Sequence, residues 1–155
     1  MRLSTKGRYA VTAMVDIAQH SQGNPVALNE IAQRQEISLS YLEQLFSKLR
    51  RAGLVNSVRG PGGGYLLSRE SDQIRISEIV LAVDTVFGPL ARTNGSGVAR
   101  SLAGRGTIAN DLWSELDGVI AGFLHAITIG DVCSGRVRGF GESFANGNTY
   151  RAAAE

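Results

Sequence analysis

The 155-residue chain has a single cysteine, Cys133. One thiol excludes an internal disulfide and any zinc site that draws several thiolates from one chain. Histidines are equally scarce, with only His20 and His125. No run of 18 apolar residues occurs, so no segment reads as a transmembrane helix. The N-terminal stretch Met1-Arg2-Leu3-Ser4-Thr5-Lys6-Gly7-Arg8 is basic but precedes no continuous apolar run with a cleavage site. It therefore does not read as a signal peptide, and the chain is expected to be cytoplasmic. The P-loop pattern is absent, and a dinucleotide GxGxxG would need glycine where Tyr65 stands. No nucleophile, acid–base or metal constellation is apparent, so no enzyme is expected.

What is present is an uneven charge. Residues 1–69 hold nine Lys/Arg and four Asp/Glu, a net of +5, whereas residues 70–155 hold seven and ten, a net of −3. A polyanion partner belongs to the first half, if anywhere. With 43% hydrophobic residues the chain also has enough apolar material for a packed core.

Apolar spacing predicts three helices in that first half. The first runs from about Gly7 to His20, with Tyr9, Ala10, Ala13, Met14, Ile17 and Ala18 on one face, and Gly23-Asn24-Pro25 breaks it. The second spans Leu28 to Gln35. After a short turn plugged by Ile37, the third begins between Ser38 and Ser40 and stops at Gly53. Ser40 followed by Glu43 fits a capping box. Leu42, Leu45, Phe46 and Leu49 form the buried stripe; Tyr41, Gln44, Ser47, Lys48 and Arg51 fall on the other side. Helix, tight turn and helix with a polar outer face is the helix-turn-helix plan. Two short strands follow, Leu54–Val58 and Tyr65–Ser68, around Arg59-Gly60-Pro61-Gly62-Gly63-Gly64. A hairpin in that position is a wing.

A helix lying in the major groove presents its outer side chains to base edges. Here these are Ser38, Ser40, Tyr41, Glu43, Gln44 and Lys48. Gln44 has the amide to pair with adenine, and Lys48 suits a phosphate. Glu43 either caps its helix or accepts from a cytosine amine. On the wing, Arg59 with Gly60, Pro61, Gly62 and Gly63 suits the adjacent minor groove; a hairpin without a ligand is the plainer alternative. Arg2, Lys6 and Arg8 add candidate phosphate contacts.

In the second half, Ile74-Arg75-Ile76 suggests a short strand, and Ser77 a cap for a helix containing Ile79, Val80, Leu81 and Val83. Residues 85–106 read as a Gly-rich loop. A long helix begins near Thr107, with Ile108, Leu112, Leu116, Val119, Ile120, Phe123 and Ile127 at three- or four-residue intervals. That stripe exceeds what a small winged domain can cover, so a homodimer seam through Leu112, Leu116, Val119, Ile120 and Phe123 is expected. The expected organisation is a DNA-binding domain over 1–84, the loop, a dimerisation region over 107–133 and a disordered tail over 134–155. The fold class is mostly α, a winged helix-turn-helix with a long C-terminal helix.

Three segments carry a resemblance. Met1–Met14, Ile37–Phe46 and Val58–Leu67 closely resemble the iron–sulfur cluster regulators of the Rrf-two family of winged-helix repressors, and a looser similarity continues through Ile79–Asp84 and Asp111–Trp113 to Thr128-Ile129-Gly130. The resemblance implies a homodimer that binds DNA operators and controls genes of iron–sulfur assembly or iron homeostasis. It also implies a 2Fe–2S cluster held by three cysteines and a histidine in the loop before the dimer helix and at that helix's start. This sequence departs there: residues 92–110 contain neither cysteine nor histidine, and Thr93, Thr107 and Asn110 stand roughly where two cysteines and the histidine would be. Thr and Asn are poor iron ligands. Three readings stay open: an atypical cluster on Cys133, with His125 or a carboxylate completing the set; a cluster-free regulator answering to a small molecule or a partner protein; or an unregulated cluster-free form. A winged helix used for protein contacts is the alternative from another class.

Overall fold

The structure, a computed structural model, describes residues 4–84 and 108–137. Ser4 opens the first helix, its Oγ accepting the Gly7 N–H at 3.2 Å. This N-cap satisfies a donor that the first turn leaves free. Helix α1 (Thr5–His20) buries Ala10, Ala13, Met14 and Ile17. Tyr9, expected on that face, stays 39% exposed.

Helices α2 (Leu28–Gln35) and α3 (Leu39–Arg51) follow. Between them Glu36 adopts the left-handed region at φ 54°, which costs a side-chain-bearing residue about 1–2 kcal/mol. The turn delivers Ile37 into the core. Leu42, Leu45, Phe46 and Leu49 of α3 are buried as their spacing predicts.

The core also takes in a charge. The Asp16 side chain is fully buried, and Arg34 grips it through two hydrogen bonds, Nε to Oδ2 at 3.1 Å and Nη2 to Oδ1 at 2.6 Å. Gln35 Nε2 donates to Oδ2 at 2.8 Å. Burial alone pushes the Asp16 carboxyl up; hydrogen bonds from Arg34 and Gln35, with the charges of Arg34 and His20, outweigh it and hold the carboxyl below its ordinary value. The network ties the last two residues of α2 to α1, and so sets where α3 begins.

Strands β1 (Val55–Val58) and β2 (Gly64–Leu67) pair antiparallel, with Val55 opposite Leu67 and Val58 opposite Gly64. Tyr65 also exchanges two backbone hydrogen bonds with Val26, at 2.8 and 3.0 Å, which stitches the wing to the connection between α1 and α2. Only glycine fits at 64, because a Cβ there would fall on the Val26 carbonyl. The Tyr65 ring packs on Phe46 with centroids 4.8 Å apart, fixing the wing against α3.

A 3-10 turn (Ser71–Gln73) leads to α4 (Ile76–Val83). The strand expected at 74–76 shrinks to a single bridge, Arg75 with Thr128, because Ile76 already starts α4. Ser77, expected as the cap, lies buried inside the first turn with its Oγ 3.3 Å from His125 Nδ1. Capping falls to Arg75, whose backbone N–H donates to Glu78 at 2.9 Å.

The long helix is α5 (Ile108–Ala126), and α6 (Ile129–Cys133) follows, capped by Thr128 and Asp131. Ile127 and Ile129 sit in the same core as Ile74 and Ile76. The winged domain therefore does not close at residue 84; the end of the expected dimerisation region completes it. Residues 134–137, expected in a disordered tail, form a turn held by Arg136 to Asp131, backbone to backbone and side chain to side chain, both at 3.0 Å. The Gly-rich loop expected over 85–106 and the rest of the tail, 138–155, lie outside the described residues.

Replacing Arg34 by methionine strands a buried carboxylate and should lower stability by about 1–3 kcal/mol in a denaturant titration. Because the folded-state carboxyl of Asp16 is depressed, its contribution is complete above its ordinary value of 3.8 and disappears as the pH falls through the lower folded-state value. Stability measured from pH 6 downward should thus decline less steeply in Asp16→Asn than in the parent; parallel declines would remove Asp16 from the acid response.

Candidate nucleic-acid interface

Beyond Leu39, which is exposed at its first position, the exposed side of α3 is mostly polar. Ser38 is the N-cap, with Oγ accepting from the Tyr41 N–H at 3.3 Å and lying 3.0 Å from Ser40 Oγ. The capping box expected between Ser40 and Glu43 is therefore not made: the helix starts two residues earlier than that pattern requires. Glu43 is exposed and unengaged in capping, which leaves its carboxylate available to an outside donor.

Ser40, Glu43, Gln44, Ser47, Lys48 and Arg51 line one shallow trough along α3. Lys48, expected at a phosphate, is half-buried, and its Nζ donates to the Val83 carbonyl at 3.4 Å, at the C-terminal end of α4. Tyr41 is half-buried against Tyr9, edge to face at 5.7 Å. Burial, then the neighbouring Tyr9, pushes the Tyr41 phenol up, so it remains a hydrogen-bond donor. Lys6 is exposed on the first turn of α1; Arg2 lies outside the described residues.

At the wing tip, Arg59, Gly60, Pro61 and Gly62 are exposed and Gly63 half-exposed. The Gly63 N–H donates to the Gly60 carbonyl at 2.9 Å, closing a turn so tight that a Cβ on Gly63 would meet the Val58 carbonyl. Arg59 thus projects from a hairpin too thin to block approach to a groove. The structure brings together on one side of the molecule α3's polar face and, across a second trough lined by Glu43, Ser47, Arg50, Arg51 and Tyr65, the wing. Sequence reasoning places Ser47 and Arg51 on the outer face without assigning them contacts. It does not single out Arg50 or Tyr65. The three- and four-residue steps from Glu43 to Ser47 and from Ser47 to Arg50 and Arg51 were the available signal; Tyr65 had none.

On α5 the apolar stripe divides. Ile108 is 92% exposed, Leu112 62% and Trp113 53%, and Leu116 and Val119 are also exposed. Ile120 and Phe123 are half-buried against the core, and Ile127 is inside it. Cys133 is half-buried, and burial with the charge of Asp72 pushes its thiol up. Among the described residues, no three His, Cys, Asp or Glu side chains converge in a way that could hold a metal ion. No helix among them is long and apolar enough to cross a membrane.

Residues 3–135 match the family Rrf2, described as "Iron-dependent Transcriptional regulator". The HTH-type transcriptional regulator IscR of Vibrio cholerae is 54% identical over 132 residues, covering 85% of this chain and 75% of that protein. IscR of Cronobacter sakazakii is 51% identical over the same length, covering 80% of its own chain. Among solved structures, T. potens IscR superposes with a TM-score of 0.71 at 38% identity, covering 88% of each chain. CymR (YrzC), the global cysteine regulator of B. subtilis, gives a TM-score of 0.71 at 36% identity, covering 86% of this chain and 97% of its own.

Proposed function

Because the chain belongs to the Rrf2 family of transcriptional regulators, we propose that it represses genes of iron–sulfur assembly or iron homeostasis by binding their operators as a homodimer. It is a DNA-binding regulator and not an enzyme. The observation that carries the operator reading is the trough that joins α3's outer face to Tyr65 of the wing, within a half-chain of net charge +5 and with Arg59 exposed at the wing tip.

In this reading α3 enters the major groove. Ser38, Ser40, Tyr41, Glu43 and Gln44 meet bases or flanking phosphates. Gln44 suits adenine, and Glu43, free of the helix cap, accepts from a cytosine amine. Lys48, one of whose three donors is spent on the Val83 carbonyl, has two left for a phosphate. The wing sends Arg59 into the adjacent minor groove, with the Gly60–Gly63 turn lying close to the backbone. Lys6 adds a phosphate contact from α1.

The exposed stripe Ile108, Leu112, Leu116 and Val119 is the dimer seam, continued by Ile120 and Phe123 at its inner end. Nineteen residues of α5 extend about 28 Å. A two-fold partner along that length sets two recognition helices on half-sites about one helical turn apart.

The family's 2Fe–2S cluster does not fit these residues. The chain has one cysteine, and 92–110 offer no thiolate or imidazole. Cys133 is held toward the neutral thiol, whereas a cluster takes the thiolate. Among the described residues, neither His20 nor His125 joins Cys133 or the carboxylates in a group of three that could hold a metal ion. Of the readings the sequence leaves open, these donors favour a regulator free of a cluster, its signal a small molecule or a protein partner.

Titrating a duplex of the gene's own upstream region should show specific binding that weakens steeply with salt. Arg59→Ala should cost about 1–3 kcal/mol of that affinity; unchanged affinity would remove the wing from the interface. Sedimentation should give a dimer for the parent and a monomer for Leu112→Glu/Leu116→Glu, and a dimeric variant would place the seam elsewhere. Protein purified anaerobically from iron-replete cells should be colourless, without stoichiometric iron or sulfide. A coloured protein that bleaches in Cys133→Ala would establish a cluster anchored at that thiol.

A further inference from the structure

The major and minor grooves of a duplex are separated by one sugar-phosphate strand. A protein with a helix in one groove and a hairpin in the next must straddle that strand. In this chain the space between α3 and the wing is the trough lined by Glu43, Ser47, Arg50, Arg51 and Tyr65. Resting on the DNA-binding reading above, we propose that this trough seats the dividing sugar-phosphate strand, with Arg50 and Arg51 as its phosphate contacts.

The trough has the chemistry for it. Arg50 and Arg51 are exposed, and neither makes an ion pair among the described residues. Every other described arginine except Arg8 and the wing's Arg59 has a carboxylate or carbonyl partner. A guanidinium presents a planar fork of donors that matches phosphate oxygens, and Ser47 and Tyr65 add hydroxyls. Glu43, Ser47 and Arg51 line both this trough and the base-facing one, whereas Arg50 and Tyr65 belong to this one; the Glu43 carboxylate repels phosphate. It confines the strand to the end of the trough where the arginines stand. The width is fixed rather than adaptable, because Phe46 and Tyr65 pack ring on ring beneath it and Gly53 turns α3 directly into β1.

Both arginines also lie in the last turn of α3, where a cation complements the helix dipole. The two roles separate by measurement. A phosphate contact carries no sequence information and releases a counterion; a dipole contact affects stability alone.

The test is fluorescence anisotropy on the upstream duplex and on a scrambled duplex of equal length, across a salt series. The proteins are the parent, Arg50→Gln/Arg51→Gln and the charge-keeping Arg50→Lys/Arg51→Lys. The Gln variant should lose affinity by a similar factor on both duplexes. A dimer has two troughs and thus four such contacts, so its log–log salt slope should be shallower by about 3–4. The Lys variant should keep the parent slope, and thermal melting should keep both variants folded. An unchanged slope in the Gln variant, or a loss confined to the operator duplex, overturns the trough assignment alone. A parent protein that binds neither duplex overturns the DNA-binding reading and this proposal with it.

Discussion

Two backbone hydrogen bonds join the entry to α4 to the segment between α5 and α6: Ile76 N–H to the Ile127 carbonyl at 2.9 Å, and Ile129 N–H to the Ile74 carbonyl at 3.0 Å. Around this short ladder four isoleucines are buried together, and Arg75 reaches over it to the last turn of α5, bonding the His125 carbonyl at 2.7 Å. The direction in which α5 leaves the winged domain depends on that junction. Whatever meets the exposed half of α5 is thereby placed relative to α3 and the wing. Side-chain contacts alone would let the long helix pivot; a paired backbone flanked by buried β-branched residues resists it.

A second constraint acts within the domain. The helix-turn-helix holds its angle through Asp16, a charge removed from water and matched by Arg34 and Gln35. Buried carboxylates persist where their partners satisfy them fully, and what they contribute is geometry as much as stability. The left-handed Glu36 is tolerated one residue after this network, where Ile37 has to be delivered to the core.

The helices and the wing were legible because each rests on a local signal. The stripe Leu42, Leu45, Phe46, Leu49 has a helical period that only one face can bury, and a run of glycines after Val58 is a turn in any context. The misread positions are those where two local solutions compete. Ser38 and Ser40 are both plausible caps; burial of Ile37 chooses Ser38. Ile74-Arg75-Ile76 has strand composition, yet its partner at 127–129 is too short to extend a ladder, and α4 takes over at Ile76. The interface was legible along α3 and hidden across it. Tyr65 lines a trough with Arg50 only through packing on Phe46, and Lys48 finds Val83 thirty-five residues on. No window along the chain contains such pairs.

The divided helix α5 has a consequence for modularity. Its outer half faces away from the domain, but its inner end and α6 supply Ile127 and Ile129 to the core. The reading head and the arm are therefore not separable parts. A fragment ending at residue 84 would expose Ile74, Ile76 and the face of α1 that packs on α6. Recombination could not graft this winged helix onto a foreign arm between α4 and α5 without also carrying over the segment that closes its core. The two segments that flank residues 85–107 must be inherited together.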